Sequence, residues 1–169
     1  MKKALICWGI LVALLAWLVF RVTVTGAYKV CEFWESIPQA EKYTHEEKEM
    51  LLRIATAEGE SEGVDGMYHV LEVVLNRVES VNYPDTIKEV VFQSTPCVQF
   101  ESTANGRYEN CEITQDAKRA YDLLNTVGVT DDRIIAYEGV GNDVLSKWYE
   151  YLYSLGHHRF YCEKGGANG

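Results

Sequence analysis

An apolar helix gives way to a run of acids in the stretch Ile54-Ala55-Thr56-Ala57-Glu58-Gly59-Glu60-Ser61-Glu62-Gly63. Glu58 follows Leu51 by seven residues, Ile54 by four and Ala55 by three, so the helical period puts it on their apolar face. Gly59 comes next and lets the backbone turn away. A carboxylate so placed loses water around its charged form, which raises its pKa and favours the protonated acid near neutral pH. Such a proton donor is what cleavage at a glycosidic oxygen requires. The plain alternative is a solvated acidic loop made of Glu58, Glu60, Glu62 and Asp65. Helical phase separates Glu58 from that loop, because no apolar stripe leads up to Glu60 or Glu62.

The elements that must hold Glu58 show in caps and periods. Thr44 with Glu47 forms a capping box that opens a helix over 44–57. Met67, Val70, Leu71, Val74 and Val78 predict a second helix, which Asn82-Tyr83-Pro84 stops. Thr86 and Glu89 open a short helix to about Phe92. Residues 93–112 read as a long loop or hairpin, rich in Ser, Thr, Asn and Gly, with a cysteine at each flank. Thr114 caps a further helix carrying Ala117, Ala120, Tyr121 and Leu124. Arg133–Tyr137 is β-prone, the aromatic stretch Trp148–Tyr153 has an ambiguous period, and Phe160-Tyr161 predicts a closing strand. Helices come first and strands late, so the class is α+β.

At 169 residues there is room for one compact domain and an appendage. The appendage is the uncharged run Ala4–Phe20, flanked by Lys2-Lys3 and Arg21. It makes residues 1–27 a signal-anchor or signal peptide, the uncleaved anchor being the first choice. Two lysines in front keep the amino terminus in the cytoplasm and export the rest. Residues 28–43 are then a linker, 44–162 the functional domain and 163–169 a flexible tail. A net charge of −9 argues against a nucleic-acid partner. Cys7 lies within the apolar run, which leaves Cys31, Cys97, Cys111 and Cys162 for an oxidising compartment. The favoured pairings are Cys97–Cys111 and Cys31–Cys162. A zinc site competes, but no Cys-x-x-Cys spacing occurs, so neither metal nor cofactor is expected. The adjacent His157 and His158 diverge, and His158 is expected to hydrogen-bond within the fold or to border a cleft; His45 and His69 read as structural or exposed.

One order of motifs runs through the domain. Glu58-x-x-x-Glu62 is followed by Gly66, Val73-Val74-Leu75-Asn76-Arg77-Val78, Phe92-Gln93, Gln99-Phe100, Ser146-Lys147-Trp148 and Gly156-x-His158-x-Phe160. Over about residues 46–162 this order resembles the catalytic domain of the spore cortex-lytic and cell wall hydrolases, the SleB/CwlJ family. The resemblance implies a lysozyme-like helical lobe with a small β-sheet lobe, behind one N-terminal hydrophobic helix. It implies an enzyme similar to lytic transglycosylases that cleaves peptidoglycan glycan strands, outside the cytoplasm and held at the membrane by its N-terminal helix. Glu58 matches the family's catalytic glutamate and Glu62 its second, supporting one. Gln99, Phe100 and Tyr137 match substrate-binding positions of the cleft, with His158 beside them. Gly59, Glu60 and Ser61 depart from the alanine–arginine–glycine common between the two glutamates. In the implied reaction Glu58 is acid and then base at the MurNAc–GlcNAc bond. A hydrolytic version needs a second carboxylate, for which Glu62, Glu101 and Glu138 are available. The rival readings are an N-acetylmuramoyl-L-alanine amidase, whose zinc ligands are not evident, and a non-catalytic glycan-binding module stacking sugars on Trp148, Tyr149, Tyr151 and Tyr153. No protein partner can be named from the sequence.

Overall fold

Helix α1, His45–Gly59, starts at the expected cap: the Thr44 hydroxyl accepts from the Glu47 amide at 3.2 Å, and the Glu47 carboxylate accepts from the Thr44 amide at 2.8 Å. The computed structural model describes residues 42–165. The segment 1–27, all of the linker except 42–43, Cys31 and residues 166–169 therefore lie outside the described residues. Among the described residues no helix is long and apolar enough to cross a membrane.

Helix α1 buries Leu51, Ile54 and Ala55 completely. It turns at Gly59 into α2, Gly63–Glu79. A Cβ on Gly59 would come within 2.8 Å of Met67 Cγ, so glycine lets the two helices meet closely at this corner. Helix α2 is the centre of the core, with Val70, Leu71, Val73 and Val74 fully buried. Short α3, Ile87–Val91, is capped by Thr86, and α6, Gln115–Val127, by Thr114, each hydroxyl accepting an amide three residues on. Between them the stretch expected as a loop or hairpin folds instead into two single turns, α4 (Glu101–Ala104) and α5 (Arg107–Asn110). Phe100 and Tyr108 anchor these turns by burial.

That folding corrects the expected Cys97–Cys111 bridge, which does not form. Cys111 turns inward, its thiol donating to the carbonyls of Tyr108 at 3.3 Å and Arg53 at 3.7 Å. Cys97 stays exposed, its sulfur accepting from Gln99 Nε2 at 3.3 Å. Cys162 is also a free thiol, and its expected partner Cys31 lies outside the described residues.

Strands β1 (Ala136–Gly139), β2 (Tyr149–Leu155) and β3 (His158–Glu163) form one antiparallel sheet in the order β1-β3-β2. The strand expected to close the sheet is thus its centre. Phe160 and Tyr161 point to opposite faces and both are fully buried, as a strand covered on two sides requires. Phe160 packs on His69 of α2, ring centroids 5.2 Å apart, while the Tyr161 hydroxyl donates to Glu138 on the other face. The β-prone run joins the sheet late, its first bond being the Ile135 amide to the Tyr161 carbonyl at 3.0 Å, because Asn76 of α2 holds the carbonyls of Asp131 and Ile134. A helical core with a small antiparallel sheet is the resulting architecture.

Candidate active site

Glu58 lies in the last turn of α1, half-buried at the edge of the apolar stripe. Its Oε1 accepts from the Ser102 amide of α4 at 3.1 Å, and its Oε2 accepts from the Tyr137 hydroxyl of β1 at 3.0 Å. Three elements far apart in sequence therefore meet on one carboxylate. The strand period sends Tyr137 to the inner face of the sheet and Ala136 and Glu138 to the outer. The depth of Tyr137 is set from α2. Asn76 Nδ2 donates to the carbonyls of Asp131 at 2.8 Å and Ile134 at 2.7 Å, and Arg77 Nε to that of Ile135 at 2.7 Å. Burial, reinforced by the neighbouring Glu58, pushes the Tyr137 phenol well above its ordinary range, so it stays a protonated donor.

The aromatic surroundings are close. The Tyr137 ring lies 4.6 Å from His158, 6.0 Å from Phe160 and 6.4 Å from Phe100. Burial holds His158 below the usual imidazole range, against the pull of Glu62 and Glu58, so the ring is neutral at pH 7. Phe100 is 1% exposed, with the Arg77 guanidinium 5.1 Å from its ring. It backs the wall behind Tyr137 and presents no face to a sugar. Gln99 is half-buried beside it and donates through Nε2 to the Cys97 carbonyl at 3.2 Å.

Glu62 has a different setting. Its side chain is 1% exposed and accepts from the His157 amide at 2.6 Å, the His157 ring at 3.1 Å and the Ser61 hydroxyl at 3.0 Å. Gly156 makes this possible: its φ is 57°, and a Cβ there would overlap Glu62 Oε2. Burial alone would raise the Glu62 carboxyl, but the His157 amide, the Ser61 hydroxyl and the flanking histidines hold it below the ordinary range. Glu138 is equally committed, accepting from the amides of Val144 at 3.0 Å and Leu145 at 3.2 Å and from the Tyr161 hydroxyl. Glu101 is exposed at the start of α4. Exposed Glu60 meets Arg107 at 3.5 Å, which returns a positive charge near the position where the family commonly carries one.

Sequence reasoning missed Ser102, the backbone-holding role of Asn76 and Arg77, and Glu72. Fully buried Glu72 accepts from the Thr130 amide, the Thr130 hydroxyl and the Asp131 amide, at 2.5, 2.8 and 3.3 Å, and from the His69 ring. A signal existed for three of them, since Glu72, Asn76 and Arg77 interrupt the apolar run from Val70 to Val78. Nothing local marks Ser102. Of the aromatic residues considered for sugar stacking, Trp148 is 72% exposed, whereas Tyr153 packs on Phe160 at 5.5 Å. A groove of about 1180 Å³, lined among others by Leu75, Ile135, Leu152 and Cys162, opens elsewhere and contains none of the groups around Glu58. Its volume is not accompanied by a comparable convergence of donors on one acid.

A half-buried acid that accepts from a neutral phenol at a helix end is an arrangement compatible with acid–base chemistry. The family model described as cell wall hydrolase matches residues 61–161, and the chain belongs to that family of enzymes. The match begins just after Glu58 and includes Glu62, Tyr137 and His158. Among solved structures, the catalytic domain of the germination-specific lytic transglycosylase SleB from Bacillus anthracis is similar, with a TM-score of 0.61 and 23% identity over 74% of this chain and 100% of that one. The catalytic domain of Bacillus cereus SleB is similar too, with a TM-score of 0.59 and 23% identity over 73% of this chain and 94% of that one. These likenesses establish a shared fold. No curated protein matches the chain.

Proposed function

We propose that this chain is a lytic transglycosylase-type enzyme that cuts the MurNAc–GlcNAc bond of peptidoglycan with Glu58 as its single acid and base. The observation that carries the reading is the contrast among its acids. Glu58 keeps partial exposure, while Glu62 and Glu138 are spent on bracing the fold.

In the proposed cycle, Glu58 gives its proton to the glycosidic oxygen as the bond to the muramoyl C1 breaks. The carboxylate left behind is stabilised by the Tyr137 hydroxyl and the Ser102 amide, the two donors already in contact with it. It then takes the proton of the muramoyl C6 hydroxyl as that oxygen bonds to C1, which closes a 1,6-anhydro ring. No water and no second catalytic carboxylate are consumed. Tyr137, His158 and Gln99 border the sugar path, Phe100 stiffens its wall, and Glu62 supports the turn that carries His157. Residues 1–27 anchor the enzyme, 28–43 link the anchor to the domain over 44–162, and the substrate is reached outside the cytoplasm.

General acid–base help of this kind is worth roughly 10²–10⁴-fold in rate. Glu58→Gln is therefore expected to lower turnover of purified peptidoglycan by that factor while its melting temperature stays near the parent's. A variant as fast as the parent removes Glu58 from the mechanism.

A further inference from the structure

Among the described residues four buried side-chain polar atoms have no hydrogen-bond partner: Arg77 Nη1, Gln93 Oε1, Ser102 Oγ and His158 Nδ1. Ser102 is in direct contact with Glu58, and the other three border the residues next to it. The Ser102 amide is bonded to the Glu58 carboxylate, the His158 ring lies on Tyr137, and Arg77 lies on Phe100. Gln93 takes the Gln99 amide on its carbonyl at 3.1 Å, one residue before Phe100. Unpaired buried polar groups cost stability, so an unpaired hydroxyl on a residue that already touches Glu58 calls for a use.

Ser102 is the member closest to the chemistry. It is 2% exposed, so its hydroxyl is closed off from substrate. A hydroxyl in a helical turn can donate back to an earlier carbonyl, and neighbouring Thr103 does so, bonding the Phe100 carbonyl at 2.8 Å. The Ser102 hydroxyl makes no such bond. Its oxygen is three covalent bonds from the amide nitrogen that already touches Glu58 Oε1, so a change of χ1 is the one motion needed to turn it toward the same carboxylate.

We infer that Ser102 is a positioning residue for Glu58, its hydroxyl turning onto the carboxylate once the proton has left and adding a third donor to the Tyr137 hydroxyl and the Ser102 amide. This rests on the reading of Glu58 as the acid and base. The hydroxyl is unpaired in the resting structure and pairs more strongly with a charged carboxylate than with a neutral one, so it lowers the barrier without contributing to the resting fold. Stability and rate should then separate on its removal, which a structural serine would not allow.

The test uses the full chain and soluble, uncrosslinked peptidoglycan strands, and compares the parent with Ser102→Ala, Ser102→Thr and Glu58→Gln. Ser102→Ala is expected to lower kcat about tenfold, as loss of one bond to a charged group would. KM should stay within about twofold, in keeping with a group that acts only after the substrate is bound. The melting temperature should be unchanged or higher, and Ser102→Thr, which keeps the hydroxyl, should retain most of the rate. A kcat for Ser102→Ala within about twofold of the parent overturns the inference. So does a fall in kcat matched by a lower melting temperature, which makes the role structural, or a rise in KM alone, which makes Ser102 a substrate contact. Parent-like activity in Glu58→Gln is a separate failure, that of the Glu58 reading itself.

Discussion

Glu58 and Glu62 stand four residues apart at the α1–α2 corner, and the fold uses them in opposite ways. Glu62 is closed off from solvent and ties the corner to His157, 95 positions later, through an amide and a ring nitrogen. Glu58 is half-buried and accepts one amide and one phenol. Glu72 and Glu138 follow Glu62, each taking two backbone amides from a chain segment that it holds in place. Burial by itself does not mark a working acid. Carboxylates saturated by main-chain donors are braces, and the acid left with room for a substrate is the candidate for chemistry.

This contrast breaks most sharply at Glu62. Glu62→Ala removes the partner of the His157 amide and leaves that turn without its anchor. It is expected to destabilise the domain by about 3 kcal/mol, the scale of hydrogen bonds to a buried charge, measured by denaturant unfolding. A catalytic carboxylate at Glu62 would instead cost rate and leave stability nearly intact. Acid sharpens the same point. Glu62 and Glu72 both sit below the ordinary carboxyl value of 4.5 when folded, because their donors outweigh burial, which by itself would raise them. The unfolded chain therefore binds more protons in acid, and stability falls as pH drops below 4.5 and through the folded values. Melting temperature against pH should show this loss, and Glu62→Gln should flatten it. The smallest effect is expected on the other side of the comparison. Tyr137→Phe removes one of the two donors on Glu58 and should lower peptidoglycan turnover about tenfold with little change in melting temperature.

What the sequence discloses follows from how local each feature is. Thr44, Thr86 and Thr114 announce their helices because a cap acts within three residues, and Leu51, Ile54 and Ala55 place Glu58 because a helical face repeats within one turn or two. The stretch 93–112 misled, since Ser, Thr, Asn and Gly suit a loop while the burial of Phe100 and Tyr108, a tertiary effect, folds it into turns. Cys97 and Cys111 then diverge, and spacing alone could not reveal that. Phe160 and Tyr161 read as a strand but not as the central one, because strand order is settled by pairing partners far away in sequence. At the site, Glu58 and Tyr137 were legible through a local face and a family resemblance. Ser102 was not, since its contact with Glu58 spans 44 positions and leaves no local pattern.

The products released from purified peptidoglycan test the central claim most directly. With Glu58 acting as acid and then base on the muramoyl C6 hydroxyl, mass spectrometry should find fragments ending in 1,6-anhydro-muramic acid. Fragments with a reducing muramic acid would show that water had been activated by a second group, and freed stem peptides would show an amidase; either result contradicts the account.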